Sequence, residues 1–411
     1  MRINRYFPFL FIYFFINGLA LPFGLTWMAL LAPIFYFWML RVRQREVMAP
    51  LLLVLLPFVL AHLLRGQVQT GPYFISLLNI ILVGVFALTV STYLQQTTDH
   101  YPLFRRLLIL NTIACVIALI LYFSPWKDVL WMQQNISSGI NDFYRMKLFT
   151  YEPSYYALLF TPFFFYFLFR YWLQMPGFKG WLLLPMLALP YLLSFSIGVM
   201  AAVLFALAGV LLIHARSLIP RRRVFNLLFS TVAVLSVTGV LLFLFFRDNV
   251  LFERIGNVIS GADTSGQGRT SDAFILAQKI LNVSDPLWGC GPGQIKFKGA
   301  DIIRSYYLYY EETKVAIPNA AAETLAIFGW IGLSLRILIQ WVLFFVTKVW
   351  SNYYRLALFL FIFLYQFTGS FITNGAEYLI WVFAFSSAFP AFRMRNDAAA
   401  QPAILRRGVL T

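Results

Sequence analysis

Apolar blocks of roughly membrane-spanning length follow one another along almost the whole 411-residue chain. Hydrophobic residues make up 61% of it and charged residues only 12%, a balance that could not cover the surface of a soluble domain. Because a helix needs about 20 apolar residues to cross a bilayer, the pattern predicts an all-α polytopic membrane protein with about twelve transmembrane helices in a single domain, 1–411. The blocks lie near 7–20, 24–40, 48–64, 73–93, 104–123, 155–173, 181–196, 198–213, 224–246, 320–347, 354–370 and 372–391.

Basic residues indicate how these helices are oriented. If the N-terminus lies in the cytoplasm, 19 of the 32 lysines and arginines and only three acidic residues fall on that side, which accounts for the whole net charge of +16. We therefore expect a multi-pass inner-membrane protein with both termini in the cytoplasm. The basic excess follows from topology, so no nucleic-acid partner is expected.

Two outward elaborations interrupt the apolar pattern. The first is a loop at 124–153, and the second is a large loop at 247–318, between the ninth and tenth helices. Within the large loop the sequence predicts a flexible stretch at Gly261–Gly268, an amphipathic helix at Thr270–Ile280 and a tight turn at Asp285–Gly293. A second helix is expected around Tyr306 and its neighbouring tyrosines, lying at the membrane interface.

Neither loop is expected to hold a metal site or a catalytic site built from histidine or cysteine. The chain has three histidines, all outside the loops, and two cysteines, of which only Cys290 lies in a loop. No zinc site, disulfide framework or Ser-His-Asp triad can be assembled from these residues. Arginines and carboxylates remain as candidates, and neither a metal nor a cofactor is expected.

Arg254 and Arg269 are the first candidates. Arginine is always charged and grips phosphate with a planar fork, so the pair could hold a lipid diphosphate. They could equally pair with acidic residues of the same loop, namely Asp248, Glu253 or Asp272.

Glu152, at the mouth of the sixth helix, is the second candidate. A partly desolvated glutamate beside the membrane can act as a base toward a sugar hydroxyl. The alternative is that it starts the helix, stabilised near the helix dipole and ahead of Pro153.

Near the start of the tenth helix, Asn319 is followed by Glu323, Gly329, Gly332 and Arg336. A charge such as that of Glu323 is expensive there and should contact something, and the glycines would permit close helix approach. Arg336 is expected to pair or to snorkel. Four further residues are expected to bind substrate together with Asn319: Arg145, Tyr306, Tyr310 and Glu377. The tyrosines could stack on sugar faces or could simply form an aromatic belt.

Taken in order, these motifs resemble those of Wzy-type polymerases and O-antigen ligases, which are integral glycosyltransferases. The resemblance covers roughly residues 145–335. It runs through Glu152-Pro153-Ser154, Arg254, Gly268-Arg269-Thr270, Pro286-Leu287-Trp288-Gly289-Cys290-Gly291 and the box from Asn319 to Gly332. The ligase branch has a histidine where this chain has Pro318, and the Glu152 motif and the segment Ser370–Glu377 look more like polymerases.

The resemblance implies a polymerase that joins undecaprenyl-diphosphate-linked repeat units by inverting, metal-independent transfer at the outer face of the bacterial inner membrane. Arg254 and Arg269 would neutralise the diphosphate, with Glu152 as first and Glu323 as second candidate base. A chain-length regulator and a flippase are implied as partners. A ligase and a polysaccharide transporter or flippase remain the alternatives.

Overall fold

Helices make up most of the computed structural model, which describes residues 6–19, 26–40, 49–66, 68–134, 143–218, 264–307 and 315–394. The first nine are α1, Phe7–Phe11, continued by a π-helical turn, Ile12–Ile16; α2, Trp27–Leu40; α3, Ala49–Leu64; α4, Thr70–Gln96; α5, Tyr101–Tyr122; α6, Lys127–Leu130; α7, Pro153–Trp172; α8, Gly180–Ser194; and α9, Ile197–Leu218. After them come α10, Thr264–Arg269; α11, Ser271–Asn282; α12, Ile295–Lys298; α13, Ala300–Tyr307; α14, Ala320–Val346; α15, Tyr353–Tyr365; and α16, Gly375–Phe385. Short 3₁₀ turns lie at Val349–Ser351 and Pro390–Phe392.

Four of these helices are long and apolar enough to cross a membrane, namely α4, α5, α14 and Ile197–His214 within α9. Several shorter apolar helices accompany them. Every predicted apolar block within the described residues coincides with a helix, which confirms the class, an all-α membrane protein. The block at 224–246 lies outside the described residues, so the count of twelve spans and the orientation stay predictions.

The helix α7 lies at the centre of the larger hydrophobic cluster. It is apolar on all sides, and 16 of its 20 residues are buried, as expected for a helix surrounded by protein. Edge-to-face aromatic contacts surround it; for example, the ring of Phe104 lies 4.9 Å from that of Phe163 and 4.8 Å from that of Tyr166. Glu152, the residue before α7, is likewise surrounded mostly by protein, with 21% of its side chain exposed.

The predicted amphipathic helix is confirmed as α11, with Thr270 in the N-cap position. Its buried residues recur at helical spacing and pack on α14; they are Ala273, Leu276, Ala277, Ile280 and Leu281. The prediction of a flexible stretch at 261–268 was wrong from Thr264 onward, because Thr264–Arg269 is helical and packs directly before α11.

A two-stranded antiparallel hairpin occupies part of the predicted first loop and was not foreseen. It pairs β1, Trp131–Gln134, with β2, Phe143–Met146. Trp131 and Met146 are opposite each other and buried, and Arg145 is opposite Met132. The hairpin thereby carries Arg145 inward.

The helix α14 bends sharply at Gly329. In a straight helix Thr324 and Arg336 would lie about 18 Å apart, yet Arg336 Nη1 donates a hydrogen bond to Thr324 Oγ1 at 3.1 Å. The bend arises because Gly329 has φ +67° and ψ −168°, a conformation open essentially to glycine alone. Gly329 thus turns the chain, whereas we had expected it to admit a neighbouring helix.

The predicted tight turn at 285–293 joins the two halves of α14. Cys290 N and Gly291 N donate to the last carbonyls of the first half, Ala326 O and Ile327 O, at 2.9 and 3.0 Å. Trp330 N and Ile331 N, which begin the second half, donate to Pro286 O and Leu287 O at 3.0 and 3.2 Å. Because these four hydrogen bonds pair backbone groups on both sides of the bend within the protein, the break is tolerated inside an apolar segment.

Candidate functional site

Glu152 and Arg269, 117 residues apart in the sequence, form an ion pair. Arg269 Nη2 donates to Glu152 Oε1 at 2.6 Å, and Ser154 Oγ donates to the same carboxylate oxygen. Both side chains are mostly but not fully buried. From the sequence we expected separate roles for the two residues. The only partners predicted for Arg269 were acidic residues of the large loop.

Local structure holds both members of the pair. Glu152 is the extended residue before the proline that opens α7, and its carboxylate is held at the first turn of that helix by Ser154. Arg269 is the last residue of α10, and its carbonyl accepts a hydrogen bond from Asn319 Nδ2 at 2.8 Å. Asn319 therefore connects the arginine to the N-terminus of α14.

The pair borders a cavity of about 110 Å³, which we call the Glu152 cavity. Tyr155, Pro318, Tyr365 and Asn374 also line it. With liquid water occupying about 30 Å³ per molecule, this space suits a phosphate-sized group rather than a whole lipid-linked sugar.

Three helices begin at this cavity. Glu152 precedes α7, Pro318 precedes the N-cap of α14, and Asn374 is the N-cap of α16. The N-terminus of each long helix carries a partial positive charge, which adds to the full charge of Arg269. The surroundings of the Glu152 cavity therefore favour an anion.

Opposing effects set the pKa of Glu152. Burial raises it, but the charge of Arg269, the hydrogen bonds from Arg269 and Ser154, and the more distant charge of Arg145 together bring the pKa below its ordinary value. Burial also lowers the pKa of Arg269, which the Glu152 carboxylate raises above its ordinary value. Both groups are thus charged at neutral pH, and Glu152 is a weak base as long as the pair is intact.

Asn319 and Glu323 hold the loop 366–374 rather than facing the cavity. Asn319 Nδ2 donates to Phe367 O at 2.6 Å, and Glu323 Oε2 accepts from Ile372 N at 2.7 Å. This loop supplies Phe371 and Ser370 to the cavity wall. We predicted that the charge of Glu323 would contact another group, and this group is the backbone N–H of Ile372.

Glu377 is fully buried and pairs with Arg336, one of the two outcomes expected for that arginine. Trp381 Nε1 also donates to Glu377 Oε1, at 3.3 Å, and Arg336 Nε donates to Gln366 Oε1 at 2.9 Å. The pair lies among α14, α15 and α16 and does not line the Glu152 cavity.

The remaining predicted site residues are dispersed. Arg145 is buried and donates to Ser194 O at 2.9 Å and to Ser196 Oγ at 3.1 Å, between α8 and α9. Tyr306 donates to Asp272 Oδ1 at 3.0 Å, which fastens α13 to α11. Arg254 and Tyr310 lie outside the described residues.

Sequence reasoning missed Tyr155, Tyr365 and Asn374 as cavity residues. Tyr155 follows the Glu152 motif directly, which was its only signal. Tyr365 and Asn374 lie more than 200 residues away from Glu152 in the sequence, so only the fold could bring them to the site. Asn374 lies within the segment Ser370–Glu377, which the resemblance includes but which did not single out this residue.

Comparison of the chain with protein-family models and with curated proteins returned no match. The resemblance described above therefore rests on the order of the motifs in the sequence.

Proposed function

We propose that the protein is a polymerase that joins undecaprenyl-diphosphate-linked oligosaccharide repeats into O antigen, capsule or exopolysaccharide at the outer face of a bacterial inner membrane. The observation that carries the proposal is the Glu152–Arg269 pair, which lies in a small cavity surrounded by helix N-termini. Two residues from distant motifs meet there: Glu152, whose carboxylate can accept a proton, and Arg269, whose guanidinium can bind phosphate.

In this proposal Arg269 binds the diphosphate of the growing glycan. A hydroxyl oxygen of the acceptor sugar attacks the anomeric carbon from the opposite side, and the bond from that carbon to the diphosphate oxygen breaks with its electron pair leaving on the diphosphate. A preorganised donor at such a developing charge contributes about 3–4 kcal/mol to transition-state stabilisation. Arg254, the second predicted cation, would act with it.

Glu152 accepts the proton of the attacking hydroxyl. When the diphosphate binds Arg269, it competes with the carboxylate for the guanidinium. Burial alone raises the pKa of Glu152, so a carboxylate released from Arg269 is a stronger base than the paired one. Substrate binding would thereby activate the base, and Glu323, held on the backbone of the loop 366–374, would position rather than catalyse.

The alternative of a ligase is disfavoured by Pro318, which lines the Glu152 cavity and has no side chain able to transfer a proton. The alternative of a transporter would predict a broken helix whose free backbone groups face a substrate. In α14 those groups are paired with the turn at 286–291, so this break does not favour transport.

A complementation experiment tests the proposal. A strain lacking the gene is complemented with the wild type, Arg269→Ala or Arg304→Ala, where Arg304 is an exposed arginine of α13 in the same predicted loop. We expect polymer from the wild type and from Arg304→Ala, and only single lipid-linked repeats from Arg269→Ala at equal protein level in the membrane.

Other outcomes would contradict the proposal. Full-length polymer from Arg269→Ala would refute the phosphate-binding role. Normal polymer that is no longer attached to its final acceptor would indicate a ligase, and single repeats trapped on the cytoplasmic leaflet would indicate a flippase.

A further inference from the structure

A second, larger cavity lies at the Arg65 end of α3, and we call it the Arg65 cavity. Its volume is about 230 Å³, and Arg65 and Lys298 line it together with Ser284 and Asp285. Arg65 pairs with Asp285, whose carboxylate also accepts hydrogen bonds from Leu287 N and Trp288 N at 2.9 and 2.8 Å. No ion pair involves Lys298 within the described ranges.

Two further groups define what the Arg65 cavity can bind. His62 lies 2.7 Å from Trp288 O through Nε2 and 3.1 Å from Tyr73 Oη through Nδ1. Because a carbonyl only accepts, Nε2 carries a hydrogen and donates it to Trp288 O, and Nδ1 lies within hydrogen-bond distance of the Tyr73 hydroxyl. Ser284 Oγ is buried and has no hydrogen-bond partner in the described part of the chain. Two cations, one carboxylate and an available hydroxyl therefore favour an anionic, oxygen-rich group.

An apolar groove of about 490 Å³ lies between α3 and α4, on the part of α3 that leads toward this cavity. Leu55 and Val59 line the groove, and His62 continues the same stripe of α3 one turn further on, about 4.5 Å along the axis. On α4, Leu77 lines the groove and lies one turn from Tyr73, the partner of His62. The apolar groove thus ends within one helical turn of His62 and Tyr73, and His62 lines the cationic cavity.

We propose that the groove and the Arg65 cavity together form a second lipid site, which holds a polyprenyl phosphate or diphosphate. The tail lies in the groove, and the phosphate lies against Arg65, Lys298 and Ser284. The choice of a polyprenyl lipid rests on the proposed function, because joining two lipid-linked glycans requires a second lipid beside the one bound at Arg269. The net positive charge at the polar end of an apolar groove is what selects a phosphate-bearing lipid.

The test measures lipid binding in the absence of catalysis. Full-length protein carrying Arg269→Ala, which removes the first site, is placed in phosphatidylcholine nanodiscs and titrated with undecaprenyl phosphate. Adding Arg65→Gln and Lys298→Gln should weaken binding about tenfold or more, because each cation contributes a charge-assisted hydrogen bond. Val59→Trp, which fills the groove and leaves the charges in place, should weaken it as well.

Matched controls are Lys296→Gln, on α12 but outside the cavity, and Val54→Trp, at an exposed valine on the face of α3 opposite the groove. Both should bind as the Arg269→Ala protein does. Equal binding by the cavity variants and the controls would overturn the second site and leave the proposed function standing. If Arg65 and Lys298 are needed for binding phosphatidylglycerol but not for binding undecaprenyl phosphate, the site binds another anionic lipid and the proposed polyprenyl ligand is refuted. Failure of the proposed function would instead appear as full polymer from Arg269→Ala in cells.

Discussion

Replacing Gly329 by alanine should destabilise the protein at the bend of α14. A non-glycine residue at φ +67°, ψ −168° carries about 1–3 kcal/mol of backbone strain. The added Cβ would also lie 2.6 Å from Trp288 N, inside the turn that pairs with both halves of the helix. Loss of one of the four backbone hydrogen bonds there adds about 1 kcal/mol, so the total is about 2–4 kcal/mol.

The assay is the midpoint of thermal unfolding in one detergent, with Gly198→Ala as the control. Gly198 is an exposed residue in the first turn of α9, and a Cβ there would meet open space. Alanine should be neutral or stabilising by up to about 1 kcal/mol at that position. Gly329→Ala should therefore unfold at a clearly lower temperature. If the two variants unfolded at the same temperature, the proposed junction between the turn and α14 would be refuted.

Three further predictions concern charged and amide side chains. The lowered pKa of Glu152 means that its pairing with Arg269 stabilises the protein above the unfolded-state pKa of about 4.3, and that this contribution is lost as the pH falls through the lower folded-state value. The difference in thermal midpoint between the wild type and Arg269→Ala should thus be present at pH 7 and vanish in acid; a constant difference would argue against the ion pair. Asn319→Asp keeps the cap on α14 but loses the amide donor to Arg269 O and Phe367 O, so polymer formation should fall more than stability, whereas equal losses would indicate a structural role alone. Arg336→Met should destabilise by about 3–5 kcal/mol because it leaves Glu377 buried without its cation, and adding Glu377→Gln should restore part of the loss; additive losses in a double-mutant cycle would contradict the pairing.

The helices were predictable because membrane-spanning length and apolar composition are properties of single segments. The same is true of α11, whose buried residues follow one helical stripe, and of the turn at Asp285–Gly293, which its glycines and two prolines predict. The short helix at Thr264–Arg269 was missed because its glycines and serine disfavour a helix in isolation, and packing beside α11 overrides that preference.

Pairings between distant segments could not be read from the sequence. Nothing in the sequence indicates that the backbones of Gly289 and Gly329 contact each other. We therefore expected Gly329 to allow the close approach of another helix, and did not predict the bend in α14. Likewise, Glu152 and Arg269 were each recognised as candidates, yet their ion pair depends on α7 being central and on Asn319 holding the end of α10. Glu377 is a further example, because its partner Arg336 lies 41 residues earlier in the sequence, on another helix, and the two meet only in the fold.

The most direct test of the proposed function is polymerisation by the purified protein in proteoliposomes supplied with a lipid-diphosphate-linked repeat. The wild type should produce chains of two or more repeats and release undecaprenyl diphosphate. Arg269→Ala should bind the donor more weakly and form no polymer, whereas Glu152→Gln should retain donor binding and lose the catalytic rate. Polymer formed at the wild-type rate by both variants would contradict the assignment of the Glu152 cavity as the catalytic site.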